Sequence, residues 1–366
     1  MEEWKEYQLK DVTTILGDGL HGTPKYDENG TVFFINGNNL VDGKIEIKDS
    51  TKRVSEYEAN KYRKNLTPRT ILVSINGTIG NVAKYKGEAC ILGKSACYFN
   101  VADNFDLNFI YYVIASQQFK DTITHLATGT TIKNVSLETM RNYSFMAPSI
   151  NEQKRISSIL SSFDDKIELN RRINDNLEQQ AQALFKAWFV DNAVIDDASV
   201  SDYFIPLRGK NLLTSDAKGG EVPVVAGGLT PSAYHNVANT KAPVITISAS
   251  GANAGYVNLW GVPVWSADSS YIDSSVTPHI YFWYNLLKFS QKNIFDSQTG
   301  SAQPHIYPKH IGDIHIPNLD LDKVADYNKI VTPIYEQITN TQKLNMQLTV
   351  TRDTLLPKLM SGEIKI

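Results

Sequence analysis

The side chains best suited to chemistry lie in turn segments rich in glycine, asparagine, threonine and lysine, and their types suit nucleic-acid binding. Asn and Gln can pair with two atoms of adenine at once, while Lys and Arg pair with guanine or hold a phosphate. Glycine lets backbone N–H groups approach a phosphate closely. Taken singly, each residue is more simply interpreted as an exposed turn side chain, so the prediction depends on the whole set. The predicted contact residues are Lys25, Tyr26, Asn36, Asn38, Arg63, Lys64, Asn76, Thr78, Lys84, Thr130, Thr131 and Lys133 in the first half, and Tyr234, His235, Asn236, Ser250, Asn253, Ser301, Gln303, His305 and Lys309 in the second.

Sequence motifs for catalysis are missing, which predicts a binding protein rather than an enzyme. No P-loop, HExxH, GxSxG or CxxC pattern occurs. A GxGxxG pattern begins at Gly17, but Thr23-Pro24 follows it where a dinucleotide site needs a helix. Cys90 and Cys97 have no histidine cluster beside them, so we interpret them as buried thiols rather than a metal or redox site. We expect no catalytic residue and no bound metal, and we assign any catalysis to a partner.

The charge balance shows no overall basic character. Across 366 residues, 36 Lys and Arg face 39 Asp and Glu, a net charge of −3. A small, free-standing nucleic-acid binder usually has a basic excess, so DNA binding would need a local patch or a surface shared with a partner. The start MEEWKEYQLK has no signal-peptide character, and no apolar run approaches the roughly 20 residues of a membrane helix. We therefore expect a cytoplasmic protein.

The chain repeats one unit twice. Residues 70–99 resemble residues 243–272, and each copy predicts a strand, a glycine-rich turn, a second strand, another turn and a third strand. Further on, TGTTIKNVSLETMRNYSFMAP faces TGSAQPHIYPKHIGDIHIPNL, which sets Gly129 against Gly300. The same offset continues without a gap through the next apolar segments. Two matching blocks in the same order indicate a duplicated unit.

Each copy ends in a long amphipathic helix. Apolar residues recur at spacings of three and four, and a helix of forty residues is about 60 Å long. We expect the two helices to pair antiparallel, with Ile173 and Leu344 also in the apolar stripes. Asn170 and Thr341 lie at equivalent positions, either to set the register or as ordinary surface residues. The residues predicted to pack the helix pair are Ile156, Leu160, Phe163, Ile167, Leu177, Leu184, Ile334, Ile338, Leu348 and Leu355.

These patterns predict an α+β fold. Two strand-rich globules are joined by two long antiparallel helices in a coiled-coil rod, with an internal pseudo-twofold repeat. Pro148 and Pro317 precede the helices, where a missing N–H is tolerated. The predicted boundaries are residues 1–147 for the first globule, 148–191 for the central helix, 192–316 for the second globule and 317–366 for the C-terminal helix.

Three stretches are specific enough to indicate a family. A Thr-Gly-Thr or Thr-Gly-Ser turn occurs at residues 128–130 and 299–301, and the chain ends in LLPKLMSGEIKI. The run FMAPSINEQKRISSILSSFDDKIELN places Pro148 and Glu152-Gln153 at the start of the first long helix. Together they resemble the DNA-specificity subunit of Type I restriction-modification systems along essentially the whole chain. The second helix starts with PNLDLDKVADY and lacks the Glu-Gln pair, so any packing role of that pair is not duplicated.

The resemblance implies a function and its partners. Each globule would be a target-recognition domain that reads one half of a bipartite site in double-stranded DNA. The helices would set the spacer length and dock two modification (methyltransferase) subunits, which carry S-adenosylmethionine; in a restricting system two restriction subunits would add Mg²⁺ and ATP chemistry. This chain would itself be non-catalytic and bind no cofactor.

A different class of function fits the same repeat. A pseudo-symmetric adaptor could bind proteins through its two globules and assemble a complex without touching DNA. Salt-dependent duplex binding separates the two hypotheses, because a DNA reader loses affinity steeply with salt when assembled with its partners.

Overall fold

The computed structural model describes residues 4–191, 198–300 and 303–366, which form two compact units. Unit 1 comprises residues 1–166 and 348–366, and unit 2 comprises residues 167–347. Both units mix strands and helices, which confirms the predicted α+β class. Among the described residues, no helix is long and apolar enough to cross a membrane. The four predicted domain boundaries stay a prediction, because each unit takes in part of both long helices.

The first half of the chain contains eleven strands and five helices from Trp4 onward, where its described residues begin. Its 3₁₀ turns are Leu9–Val12 and Gly37–Asn39. The strands are β1 (Lys5–Gln8), β2 (Thr13–Asp18), β3 (Val32–Ile35), β4 (Leu40–Val41), β5 (Lys44–Ile45), β6 (Arg53–Val54), β7 (Thr70–Ser74), β8 (Val82–Lys84), β9 (Cys90–Leu92), β10 (Ala96–Val101) and β11 (Ser144–Ala147). The helices are α1 (Glu56–Tyr62), α2 (Leu107–Ala115), α3 (Gln117–His125), α4 (Leu137–Arg141) and α5 (Ile150–Phe185).

The second half contains nine strands and four helices in its described residues. A single π-helical turn, Lys186–Val190, follows α5, and 3₁₀ turns span Val200–Asp202 and Thr214–Asp216. The strands are β12 (Ala198–Ser199), β13 (Leu207–Arg208), β14 (Val222–Val225), β15 (Ala233–His235), β16 (Val244–Ser248), β17 (Val257–Trp260), β18 (Trp265–Ser266), β19 (Ser269–Ile272) and β20 (His315–Ile316). The helices are α6 (Ile280–Phe289), α7 (Gln291–Asp296), α8 (Pro308–Gly312) and α9 (Leu321–Met360).

The central sheet of unit 1 is buried on both faces. Its four antiparallel strands run in the order β2-β10-β7-β8. Along β7, Ile71 and Val73 face the main core with helix α2, whereas Leu72 faces a second apolar cluster on the other side. Successive side chains of a strand point to opposite faces, so a strand covered on both sides needs an unbroken apolar run. The sequence TILVSI supplies that run.

The two units repeat one strand topology. The order β2-β10-β7-β8 in unit 1 matches β13-β19-β16-β17 in unit 2, and β6-β3-β9 matches β15-β14-β18. The pair β1-β11 matches β12-β20 in the same way. The internal repeat predicted from sequence is therefore present in the fold of each unit, while the pair β4-β5 and helix α1 occur in unit 1 alone among the described residues.

The third strand predicted in each copy is in fact two strands. In unit 1 the two strands are separated at Gly93. Strand β9 pairs parallel with β3 in the small sheet, and β10 pairs antiparallel with β7 in the central sheet. A Cβ at Gly93 would lie 2.1 Å from Asn36 Oδ1, so a side chain there would have to displace the Asn36 amide. Strands β18 and β19 divide in the same way in unit 2. The sequence pattern missed the break because both strands are apolar.

The long helices α5 and α9 run antiparallel where they meet inside unit 2. Asn170 bonds to Asn345, and further along α5 the carbonyl of Ala181 accepts from Tyr327 of α9 (2.8 Å). The ten predicted packing residues are all buried or half-buried. Ile156 and Leu160 belong to the core of unit 1 with Leu355 against it, and Leu184, Ile334 and Ile338 contact the core of unit 2.

Two apolar residues of the predicted stripe face solvent instead. Ile173 and Leu344 occupy equivalent positions of the repeat, and the side chain of each is 40% exposed. The expectation that they pack in the stripe is wrong. A polar contact lies next to both of them: Asn170 is buried and its Nδ2 donates to Asn345 Oδ1 (2.7 Å).

The interpretation that a polar residue sets the register of the helix pair is supported for Asn170 but not for Thr341. Asn345 Nδ2 donates to the carbonyl of Ile167 (3.4 Å), so Asn170 and Asn345 join the two helices by side-chain and backbone bonds. A shift of either helix by one turn would leave these buried amides without partners. Thr341 is also buried, but its hydroxyl donates to the carbonyl of Gln337 in its own helix (2.8 Å).

In each unit a side-chain amide of the long helix forms hydrogen bonds to the globule, but the amide lies at a different position of the repeat in the two units. In unit 1, Gln153 accepts from the backbone N–H of Asp106 (3.0 Å) and donates to the carbonyl of Pro148 (2.9 Å). In unit 2, the position of Gln153 is occupied by the buried Val324. There Asn328 Oδ1 accepts from two backbone N–H groups at the start of α6 (3.1 and 3.2 Å). Asn328 therefore supplies the helix-to-globule bond that the missing Glu-Gln pair could not.

A second hydrogen bond between the long helix and the globule occurs in both units, with the tyrosine on the globule in one unit and on the long helix in the other. In unit 1, Tyr112 of α2 donates to Asp164 of α5 (2.6 Å), which also pairs with Arg352 (2.5 Å). In unit 2, the position of Asp164 holds Tyr335, which donates to Asn285 at the position of Tyr112 (2.9 Å). Burial raises the pKa of both tyrosines, so their hydroxyls remain protonated donors. The location of the bond is kept although its residue types are reversed.

Removing the hydroxyl of Tyr335 should destabilise unit 2. The Tyr335→Phe variant leaves the buried Asn285 Oδ1 without its donor, which costs about 1–3 kcal/mol of unfolding free energy. Adding Asn285→Leu removes the unpaired group and should recover part of that loss. Urea unfolding measures both, with Tyr234→Phe as an exposed-tyrosine control in the same unit. Equal stability of Tyr335→Phe and the control would show that this bond contributes nothing.

Candidate nucleic-acid interface

Two loops of unit 1 are joined side by side by backbone hydrogen bonds. The first (residues 75–80) connects β7 to β8, and the second (residues 128–134) lies between α3 and α4; we call them loop pair 1. The ends of the second loop are bonded to each other and then to the first loop, so main-chain bonds join the two loops. The bonds are Thr128 N to Asn134 O (2.9 Å), Asn134 N to Thr128 O (2.8 Å), Val135 N to Ile75 O (2.8 Å) and Gly77 N to Lys133 O (3.2 Å).

Unit 2 contains the same arrangement at the equivalent positions. Residues 249–254 lie in the connection from β16 to β17, and residues 299–305 lie between α7 and α8; we call them loop pair 2. Ser301 and Ala302 fall outside the described residues, so the predicted contact at Ser301 cannot be placed. The bonds are Thr299 N to His305 O (3.0 Å), His305 N to Thr299 O (2.8 Å), Ile306 N to Ala249 O (2.9 Å) and Gly251 N to Pro304 O (3.1 Å).

Glycine is required at the tight turn of each loop pair. Gly129 has a φ of +99°, and a Cβ there would lie 2.4 Å from the carbonyl oxygen of Ile132. Gly300 has a φ of +94°, and a Cβ there would lie 2.6 Å from the carbonyl oxygen of Gln303. Backbone of this kind favours glycine, and the close approach excludes any side chain. The Thr-Gly turn in both copies is thus a requirement of the loop backbone.

Loop pair 1 presents five of the twelve predicted contact residues of its unit. Thr78, Thr130, Thr131 and Lys133 are exposed. Asn76 is half-buried, and its Nδ2 donates to Asn134 Oδ1 (3.1 Å). The loop pair therefore gathers a cation, hydroxyl groups and amides on one surface.

Sequence reasoning missed two residues of this surface. Asn134 pairs with Asn76, and Ile132 exposes 60% of its apolar side chain beside Lys133. Asn134 could have been found, because it is the repeat equivalent of His305, which was selected. Ile132 gave no signal because polar residues alone were considered.

Loop pair 2 presents a different chemistry on the same backbone. Gln303 is exposed, and His305 stacks on Tyr307 with 6.0 Å between ring centroids and 15° between planes. Tyr307 is half exposed and was not predicted. The hydroxyl of Ser250 donates to the carboxylate of Asp268, and Asn253 Nδ2 donates to the carbonyl of Gly227 (3.3 Å). Lys309, which follows in α8, is exposed.

A second group of predicted residues lies around the outer strand of the small sheet. In unit 1, Tyr26 forms a backbone bridge with Val54 of β6, and the backbone of Lys25 bonds to Glu58 of α1 (2.9 Å). At the end of α1, Arg63 pairs with Glu56 (2.5 Å) and Lys64 is exposed. In unit 2 the matching outer strand is β15, where Tyr234 and the following Asn236 are exposed.

Three predicted residues of unit 1 lie outside loop pair 1 and away from the outer-strand group. Lys84 donates to Asn108 Oδ1 (2.9 Å) and lies over the ring of Tyr111, 4.7 Å from its centroid. Burial lowers the pKa of Lys84. Asn36 Oδ1 accepts from Ser95 (3.0 Å), whereas Asn38 is exposed. Lys84 and Asn36 are therefore held by internal contacts.

The prediction for His235 is corrected by its burial. The side chain is 6% exposed, its Nδ1 accepts from the backbone N–H of Lys218 (3.1 Å), and its ring packs on Trp265. A histidine placed in this way supports the sheet and has no free edge for a base. The sequence could not separate it from the exposed residues on either side because a strand alternates its faces.

The cysteines and acidic residues offer no alternative site among the described residues. Cys97 is buried and Cys90 is half-buried, and burial raises the pKa of the Cys90 thiol to about 12. Within the same described ranges, no group of three or more His, Cys, Asp or Glu residues could hold a metal ion. The loop pairs remain the best-defined polar surfaces.

Comparison with known proteins relates the chain to one family of DNA-recognition subunits. Residues 1–179 match the family described as the type I restriction modification DNA specificity domain. The chain is 24% identical to the specificity subunit of the type I restriction enzyme MjaIX from Methanocaldococcus jannaschii, over 100% of this chain and 94% of the relative. It is 28% identical, over 81% and 82%, to a protein of Mycoplasma genitalium whose name describes a type I specificity subunit.

A solved structure extends the similarity over nearly the full length. The crystal structure of a type I restriction-modification S subunit from M. genitalium covers 98% of this chain and 96% of its own, at 25% identity and a TM-score of 0.57. The second half of the chain repeats the strand order of the half that the family profile matches. Residues 1–179 therefore match the type I restriction-modification DNA specificity domain, and the chain along its full length is similar to specificity subunits of type I systems.

Proposed function

We propose that this chain is the non-catalytic specificity subunit of a type I complex, in which each recognition domain reads one half of a bipartite site in double-stranded DNA. One observation carries the proposal: both units hold a loop pair with the same four backbone hydrogen bonds but with different exposed side chains. A constant frame with variable side chains suits two readers of different sequences. The match of residues 1–179 to the type I DNA specificity domain supports a DNA-binding role for this backbone frame.

The readers would share their DNA with partners. The chain has a net charge of −3, so positive charge for most phosphate contacts would come from elsewhere in the complex. Lys133, exposed in loop pair 1, would hold a phosphate and set the position of the neighbouring amides. The modification subunits would supply the remaining basic surface and the methyl transfer.

The long helices would dock two modification subunits. Ile173 and Leu344 occupy equivalent positions of the repeat and expose the same fraction of an apolar side chain. Two copies of one partner need two equivalent contact points, and exposed apolar side chains at matched positions provide them. The helices would also set the length of the spacer that separates the two half-sites.

The cofactors would belong to the partners. S-adenosylmethionine would be carried by the modification subunits, and Mg²⁺ and ATP would be needed in a complex that also contains restriction subunits. We propose no cofactor for this chain. Its contribution would be to place the DNA, while the transfer chemistry takes place on another chain.

Exchanging one recognition domain should change one half-site. We expect that replacing residues 192–316 with those of a family member of different specificity alters the second half of the methylated motif. The first half should stay the same, because loop pair 1 is untouched. Methylome sequencing of cells that express the exchanged chain with its modification partner measures this result.

The same experiment includes its own control. The unchanged half-site shows that the exchanged chain is folded and assembled. A change in both half-sites would contradict the assignment of one reader to each domain. A wild-type complex that binds protein partners but shows no bipartite methylated motif would instead favour the adaptor function.

Charged residues at the two exposed helix positions should prevent docking. The pair Ile173→Asp and Leu344→Asp would bury two carboxylates in the contact with the modification subunits, and we expect at least about a tenfold loss of complex affinity. Each single variant should reduce the number of bound modification subunits from two to one. Native mass spectrometry of the assembled complex counts them, with Val350→Asp as an exposed-helix control.

Loss of Lys133 should weaken DNA binding through a phosphate contact. In the assembled complex, Lys133→Ala should lower affinity for all duplexes alike and reduce the slope of log affinity against log salt by about 1. The control is Lys86→Ala, an exposed lysine beyond the far end of β8. An unchanged salt slope with Lys133→Ala would remove this residue from the interface.

A further inference from the structure

Loop pair 1 contains two side-chain amides that are bonded to each other. Asn76 and Asn134 are far apart in sequence, but a backbone bridge places them opposite one another. Asn76 Nδ2 donates to Asn134 Oδ1 (3.1 Å), which fixes the orientation of both amide planes. Both side chains are half-buried, whereas Thr78 and Lys133 in the same two loops are exposed.

The bond between the amides determines what the pair presents to a ligand. An amide oxygen can accept two hydrogen bonds and the amino group can donate two, and the bond between the residues uses one donor of Asn76 and one acceptor site of Asn134. The pair is left with the carbonyl oxygen of Asn76 as an acceptor and the amino group of Asn134 as a donor. With either amide as the internal donor, the carbonyl oxygen of one residue and the amino group of the other take no part in the bond.

Among the four bases, this combination matches adenine. In the major groove, adenine presents an N6 amino donor next to an N7 acceptor. Guanine presents two acceptors, cytosine presents a donor without a neighbouring acceptor, and thymine presents an acceptor and a methyl group. We infer that Asn76 and Asn134 together read an adenine of the first half-site, an inference that rests on the proposed DNA-reading function.

The rest of loop pair 1 is consistent with an adenine–thymine pair. Ile132 exposes most of its apolar side chain two positions before Asn134, and apolar contact with a thymine methyl group is a common element of readout. Lys133 lies between these two residues and is exposed toward solvent, as a phosphate contact requires.

Loop pair 2 keeps the backbone bridge of loop pair 1 but lacks the two bonded amides. The backbone bridge is kept between Ser250 and His305, but the hydroxyl of Ser250 donates to Asp268. The ring of His305 stacks on Tyr307. The adenine-reading function is therefore assigned to the first half-site alone, on a backbone that tolerates either pair of side chains.

Two variants test the inference in the complete complex with its modification subunits. Asn134→Asp keeps the carbonyl-like oxygen toward Asn76 but turns the outward donor into an acceptor, which suits the amino group of cytosine. The double variant Asn76→Ser with Asn134→His installs the side chains that the same backbone already carries in unit 2. Asn29→Asp, an exposed asparagine outside the loop pair, is the matched control.

Methylome sequencing reads the outcome base by base. We expect the selectivity for adenine at one position of the first half-site to fall about tenfold in both variants, with a shift toward cytosine in Asn134→Asp. The second half-site and the control should be unchanged. An unaltered motif in the double variant, or a change at a guanine–cytosine position, would overturn the inference. A wild-type complex without a bipartite motif would instead show that the proposed function itself fails.

Discussion

Burial of two long amphipathic helices is the constraint on which the rest of this protein depends. Helices α5 and α9 contain 36 and 40 residues, and each has an apolar stripe that is stable only when it is covered by other residues. In unit 1, Ile156 and Leu160 complete the core, and the C-terminal Leu359 is buried with them. In unit 2, Tyr327 and Tyr335 of α9 are buried in the core together with residues of α5 and α6. The helices are therefore part of each core rather than additions to it.

Because the helices complete the cores, the polar bonds that orient them have been kept while their residues changed. Tyr112 with Asp164 and Asn285 with Tyr335 form one bond with donor and acceptor reversed. Gln153 and Asn328 tie the helix to the globule from different turns. A buried polar group must find a partner, but the partner can come from either side. The loop pairs follow a related division, since main-chain bonds fix their form and leave their side chains free to differ.

Most of the fold could be predicted from local patterns. The apolar runs of β7 and β16, the three-four spacing of α5 and α9 and the Thr-Gly turn at Gly129 and Gly300 all depend on neighbouring residues. The errors occur where a pattern is ambiguous within one element. Ile173 and Leu344 fit the helical stripe but are exposed, and His235 sits on a strand whose two faces differ in burial. Asn134 was missed because its partner Asn76 lies 58 residues earlier.

The sequence by itself determined the repeat, the α+β class, the long helices, the glycine turns and the family resemblance. Each of these is written in the order and spacing of residues, which backbone geometry converts directly into strands, helices and turns. The tertiary structure alone decided which side chains meet: the amides of Asn76 and Asn134, the register contact of Asn170 with Asn345 and the burial of His235. These contacts depend on how segments distant in sequence pack together, because a hydrogen bond forms only when donor and acceptor lie within about 3 Å in the right orientation.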